Sequence, residues 1–254
     1  MIVCKSPAEI EKMRAANQLV ARVLEDLAAM VAPGVSTADL DAAAEAKVRD
    51  AGAEPAFKGY RGYPATLCAS VNEQVVHGIP NRRALAAGDI VSLDMGVKLN
   101  GFYGDSAITV AVGPVHEDVT RLLRVTQAAL EAGIAQVKVG GRISDIGHAI
   151  QQYVESQGFS VVREFVGHGI GAALHEEPQI ANYGEPGHGP RLAEGMTLAI
   201  EPMVNMGKPA VKVLADGWTA VTKDGSLSAH FEHTVAVTKH GPDVLTMKPV
   251  GVDR

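Results

Sequence analysis

Ile10, Met13, Leu19, Val20, Val23 and Leu24 recur at mostly helical spacing, which predicts an amphipathic helix running to about residue 31. Ser6-Pro7-Ala8-Glu9 supplies its start, a capping box with proline at the first helical position. After Pro33-Gly34, Ser36 can cap a second helix with Leu40, Ala44 and Val48 on one face, and Gly52 is placed to end it. The same pattern returns later in the chain. Gly140, Ile146, Val154 and Gly158 each stand 106 residues beyond Gly34, Leu40, Val48 and Gly52 (140 − 34, 146 − 40, 154 − 48, 158 − 52), so an internal duplication is the simplest account.

Between and after the helices, residues 90–99, 102–112, 197–204 and 230–238 are rich in Val, Ile, Thr and aromatics and are expected to be strands. Helix pairs and strand groups alternate by half, and no Ser/Gly linker divides the halves. The expectation is one catalytic domain over 1–254, of α+β class, with a curved antiparallel sheet backed by helices and a pseudo-two-fold axis.

Asn100-Gly101 is the preferred pair for a two-residue type I′ turn. Under that turn Leu99 faces Phe102, Gly96 faces Asp105 and Asp94 faces Ala107. Asp94 and Asp105 then share a face as diagonal neighbours, roughly 7–8 Å apart along the backbone. Like charges so placed need a cation between them, unless both lie solvated on an exposed face.

Gly167-His168-Gly169-Ile170-Gly171 sets a histidine in a segment where missing side chains allow close approach of a ligand, although a satisfied core histidine would look the same. Gly167, Gly169 and Ala172 meet a dinucleotide fingerprint formally, but Pro178 and the loop-rich 182–190 leave no room for the phosphate-binding helix. His175-Glu176-Glu177 is not a zincin motif, because Gln179 stands where the second histidine should be. Glu201 and Glu232 each interrupt an apolar strand pattern, which is costly unless they are paired or metal-bound. Strand alternation sends His230 and Glu232 to one face and His233 to the other, so His233 is read as structural. Asp94, Asp105, His168, Glu201 and Glu232 together form an oxygen-rich set suited to two divalent ions bridged by carboxylates rather than one structural zinc. A hydrolase with a metal-activated water follows.

Composition narrows the setting. The 23 basic and 29 acidic residues give a net charge of −6, which argues against nucleic acid as the main ligand. Only Cys4 and Cys68 are present, so a disulfide framework is not expected and a reducing compartment is. Lys5, Glu9, Glu11 and Lys12 fall where a signal peptide needs an apolar run, and no stretch approaches membrane-spanning length; the expectation is cytoplasmic, with no membrane partner.

Tyr60-Arg61-Gly62-Tyr63-Pro64, Cys68-Ala69-Ser70-Val71-Asn72-Glu73, Val76-His77-Gly78-Ile79-Pro80, the two aspartates, GHGIG, HEEP, IEP and FEHT recur in the order and spacing of the type I methionine aminopeptidases. The chain resembles that family, in its short bacterial form, over almost its whole length. The resemblance implies a pita-bread fold and two metals, with Asp94 on one, His168 and Glu201 on the other, and Asp105 and Glu232 bridging; Fe, Mn, Co, Ni and Zn all suit the donors. It further implies Glu201 as proton shuttle, His175 as oxyanion partner, and His77 as a contact to the amide beyond the scissile bond. By position the methionine pocket would take in Tyr60, Tyr63, Cys68 and Trp218, the only tryptophan. Phe57 stands where bacterial relatives commonly have cysteine and Leu174 where they have phenylalanine, so the pocket wall is rebuilt. His230 occupies a position often held by glutamine, with a supporting role near Glu232 expected.

The implied partners are nascent polypeptide N-termini and the ribosome, met by a monomer. Two rival readings are a prolidase or aminopeptidase P, and a non-catalytic peptide-binding protein on the same scaffold. The prolidases usually carry an added amino-terminal domain, and here the first helix begins within ten residues of Met1.

Overall fold

The first two helices form where their caps place them. In the computed structural model, which describes residues 1–247, α1 spans Pro7–Met30 and α2 spans Thr37–Asp50. The Ser6 side chain accepts from the Glu9 N–H, and the Glu9 carboxylate accepts from the Ser6 N–H at 2.8 Å; Ser36 and Asp39 repeat this at the second helix. The second half holds α3, Glu117–Ile134, and α4, Ile143–Ser156. The start of α3 is unmarked by pattern because its N-cap is His116, whose Nδ1 accepts from the Asp118 N–H at 3.3 Å.

The duplication reaches the backbone. α4 begins and ends 106 residues after α2 (143 − 37, 156 − 50). Leu40, Ala44 and Val48 are fully buried, as are Ile146, Ile150 and Val154 at the same shift. The bracketing glycines are all left-handed, with φ of 94° and 72° at Gly34 and Gly52 and 87° and 79° at Gly140 and Gly158. That conformation costs a side-chain-bearing residue roughly 1–2 kcal/mol.

All strand pairs among the described residues are antiparallel, grouped into four small sheets. Strands Ile90–Leu99 and Phe102–Ala111 form the predicted hairpin, and the left-handed Asn100 and Gly101 set the expected register: Leu99 opposite Phe102, Gly96 opposite Asp105, Asp94 opposite Ala107. The two later stretches depart from expectation, since each is divided. Residues 197–204 become Thr197–Ile200 and Met203–Asn205, while 230–238 fall into Ser228–His230 and His233–Thr238. Pro202 has no N–H to offer the ladder, and the Glu232 N–H turns instead to the Ala107 carbonyl of the hairpin at 2.9 Å.

The helices cover these sheets with two cores. α1 and α2 pack with the hairpin around Leu24, Leu40 and Leu93, while α3 and α4 pack around Leu122, Ile146 and Leu198. A third cluster draws Met13, Phe57, Cys68, Leu174 and Ala199 from both halves.

Candidate metal and peptide site

The candidate ligands lie along one row across the sheets. Cys68 pairs with Asp94, Asp94 with Ala107, and Ala107 with Glu232. Met203 pairs with His230 and Ile200 with His233, so the register is the same on both sides of the double break and Glu201 stands opposite Glu232. Asp105 is two residues along from Ala107, and His168 pairs with Ala199, two residues before Glu201; alternation turns both to the same face. Hydroxyls bind the strands at this level. Ser106 donates to the Glu232 carbonyl at 2.6 Å and Thr234 to the Asp105 carbonyl at 2.8 Å. From α1, the buried Asn17 accepts from the Asp105 N–H at 3.2 Å.

His168 Nε2 lies 3.6 Å from Glu201 Oε1 and 3.9 Å from Asp105 Oδ2. Ligand atoms of Asp105, His168 and Glu232 fall within 4.8 Å of one another, and Asp94 and Glu201 line the same cavity. Asp94 Oδ1, Asp105 Oδ1 and Glu232 Oε1 are shielded from solvent and have no hydrogen-bond partner in the protein. Burial and mutual repulsion hold the carboxyls of Asp94, Glu201 and Glu232 well above the usual range, and burial raises Asp105 to about 7 against the pull of the Ser106 N–H. Four carboxyl groups, buried at Asp105 and Glu232 and half-buried at Asp94 and Glu201, with three orphaned oxygens and one imidazole, fit a cluster of divalent cations in donor chemistry and in what is left unmet.

The row lines one side of a cavity of about 160 Å³. An apolar cavity of about 150 Å³ holds a benzene molecule, so this one has room for a single side chain. Phe57, Tyr63, Cys68, Leu174 and Trp218 wall it, and Tyr60, His77 and His175 stand there too. The Tyr63 ring meets Trp218 edge-on at 5.1 Å, and its hydroxyl is shared between the Leu67 and Gly78 carbonyls. His175 lies 4.2 Å from the His168 ring, stacks on Tyr60 at 5.2 Å, and bonds the Tyr60 hydroxyl through Nδ1 at 2.9 Å. Burial, and then His168, push its pKa down to about 3. His77 sits edge-on between Phe165 and Trp218, with its pKa lowered by burial.

Residues 11–239 match metallopeptidase family M24. Methionine aminopeptidase 1 of Bacillus subtilis is 55% identical over 246 residues, covering 97% of this chain and 99% of its own. The crystal structure of methionine aminopeptidase from Rickettsia prowazekii superposes with a TM-score of 0.96 at 43% identity, over 97% of this chain and 100% of that one. The chain belongs to the methionine aminopeptidases of family M24. It is therefore a metallopeptidase, and the pita-bread fold implied by the resemblance is the one observed. A prolidase from Pyrococcus furiosus, 22% identical with a TM-score of 0.79 over 97% of this chain and 66% of that one, shares the fold.

Within this methionine aminopeptidase fold, the five candidate ligands, the two accessory histidines and the six candidate pocket residues line one cavity, while His230 and His233 do not. The carboxylate that His230 approaches is that of Glu201, at 3.9 Å, rather than that of Glu232, because the strand breaks between His230 and Glu232. Both its ring nitrogens lack partners and burial lowers its pKa to about 3. His233 turns away to Thr246 at 2.7 Å, as alternation requires. No helix follows Gly167–Gly169, so the dinucleotide reading fails. Sequence reasoning passed over Arg61 and Phe165. Arg61 lines the cavity with φ of 50°, its guanidinium 5.4 Å from the Tyr60 ring. Only the tyrosines around it marked that segment.

Proposed function

We propose that this chain removes the initiator methionine from nascent polypeptides whose second residue is small, using two divalent ions. The observation that carries the reading is the row of buried, mutually opposed carboxylates beside a cavity sized for one side chain. Asp94 would hold one ion, His168 and Glu201 the other, and Asp105 and Glu232 both. Bound there, such ions acidify a water and polarise the scissile carbonyl.

The protein's own groups account for the rest. Phe57, Tyr63, Cys68, Leu174 and Trp218 receive the methionine side chain and exclude water from it. A Glu201 oxygen takes the proton of the attacking water and delivers it to the leaving amide nitrogen. His175 is neutral over the working range; in the tautomer whose Nδ1 accepts from the Tyr60 hydroxyl, the ring proton lies on Nε2, available to the carbonyl oxygen as it gains charge. His77, fixed between two aromatic rings, contacts the amide beyond the scissile bond.

We further propose a cytoplasmic, monomeric enzyme, one catalytic domain over 1–254, that meets nascent N-termini at the ribosome. Its unpaired Cys4 and Cys68 suit a reducing compartment, and among the described residues no helix is long and apolar enough to cross a membrane. The test compares hydrolysis of Met-Ala-Ser with that of Xaa-Pro peptides, alongside metal stoichiometry, before and after chelation. Expected are methionine release, two ions per chain, and loss of turnover on chelation that Mn or Co restores. Preference for Xaa-Pro, or peptide binding without turnover at saturating metal, would overturn the reading.

A further inference from the structure

Outside the reaction centre the chain buries a second pair of charges that the hydrolysis does not use. Lys5 and Glu176 form an ion pair with side chains only 4% and 16% exposed. Lys5 belongs to the segment ahead of α1, and its anchorage is specific. Its N–H donates to the Gly195 carbonyl at 2.7 Å and its ammonium also donates to the Val3 carbonyl at 3.0 Å. A Cβ on Gly171 would collide with the Lys5 side chain and come within 2.7 Å of Glu176 Oε1, so the glycine provides the passage through which Lys5 reaches its partner.

Glu176 uses both oxygens. Oε2 meets Lys5, while Oε1 accepts from the Ala173 N–H at 3.0 Å and closes a turn over 173–176. That turn carries Leu174, 2% exposed in the pocket wall, and His175, stacked on Tyr60 beside His168. Stability alone does not explain the pair, since a buried ion pair is often matched or bettered by apolar residues of similar volume. What it supplies is a fixed orientation.

We propose that Lys5 is a positioning residue: through Glu176 it locks the 173–176 turn, setting the width of the methionine pocket at Leu174 and the aim of His175. This rests on the aminopeptidase reading above. Three variants test it on metal-loaded, full-length protein: Lys5→Met, Lys5→Arg, and the double variant Lys5→Met with Glu176→Leu. Melting curves are recorded with kcat and KM on Met-Ala-Ser and Leu-Ala-Ser. Folded Lys5→Met should lose about 10–100-fold in kcat, the range typical of lost support behind a reacting group, and its preference for methionine over leucine should narrow. Lys5→Arg keeps the charge and should recover most of both. The double variant leaves no unpaired buried charge, so it should melt closer to wild type than Lys5→Met while staying as slow; it carries the test if Lys5→Met does not fold. Folded Lys5→Met or double variant with wild-type kcat and methionine preference overturns the proposal, as does activity that returns together with stability in the double variant. A wild type that hydrolyses neither peptide would strike the aminopeptidase reading instead.

Discussion

Glu201 and Glu232 stand at matching positions in the break between two pairs of strands, where like charges repel and burial raises both carboxyls. Each is therefore expected to matter more to metal retention than to folding. Glu232→Gln should bind metal more weakly and lose more than the ~100-fold upper range of supporting residues, read from metal content and Met-Ala-Ser turnover. We propose His230 as a supporting residue of that kind, since it is fully buried 3.9 Å from Glu201 with neither nitrogen engaged. Replacement by leucine should weaken metal affinity by about 10–100-fold with little change in melting of the metal-free protein; unchanged affinity would refute the role. Tyr60→Phe removes the hydroxyl that orients His175, and kcat should fall about 10-fold with KM nearly constant. At this scale the sequence was legible wherever local geometry decides direction. An Asn-Gly turn suffices to aim Asp94 and Asp105 together. Arg61 reaches the cavity, and Phe165 the ring of His77, only through the closing of separate loops, which no spacing reveals.

Among elements, the contact of α1 with the hairpin controls Asp105. A Cβ on Gly104 would lie 2.7 Å from the Asn17 backbone nitrogen, so the helix rests directly on the strand beside the aspartate. Gly104→Ala should cost roughly 1–3 kcal/mol by overpacking, measured by denaturant unfolding, and should lower turnover by shifting Asp105. The caps of α1 and α2 and the hairpin were readable because each depends on neighbours a few residues away, and the 106-residue repeat because both copies keep the same local pattern. Of the two strand breaks, Pro202 announced one, since a proline seldom continues a central strand. The other arises because the Glu232 N–H is claimed by Ala107, more than a hundred residues earlier in the chain, and nothing local to 230–238 signals it.

For the molecule as a whole, the cavity carboxyls set how stability follows pH. In the metal-free protein Asp105 keeps its proton up to about 7 and Asp94, Glu201 and Glu232 beyond the usual range, whereas all four ionise near 4 when unfolded. The folded state then holds more protons than the unfolded one, so these groups make stability fall as pH rises through that interval. Fully buried His230, with a pKa near 3, and half-buried His233, near 4, act oppositely below the ordinary imidazole value of about 6.5, where the unfolded state binds more protons; His175, on the exposed rim of the cavity, adds in the same direction. Above pH 6.5 the carboxyls act alone. Melting of chelated protein should fall as pH rises from 6.5 through about 7, where Asp105 ionises, and the gain from added Mn or Co should widen over the same span; a gain independent of pH would refute the coupling. The row that joins hairpin to five-stranded sheet through Ala107 and Glu232 makes that gain mechanical as well. Ions seated there would act as rivets along the seam between the duplicated halves, so withdrawing them would loosen the line proposed to receive a peptide.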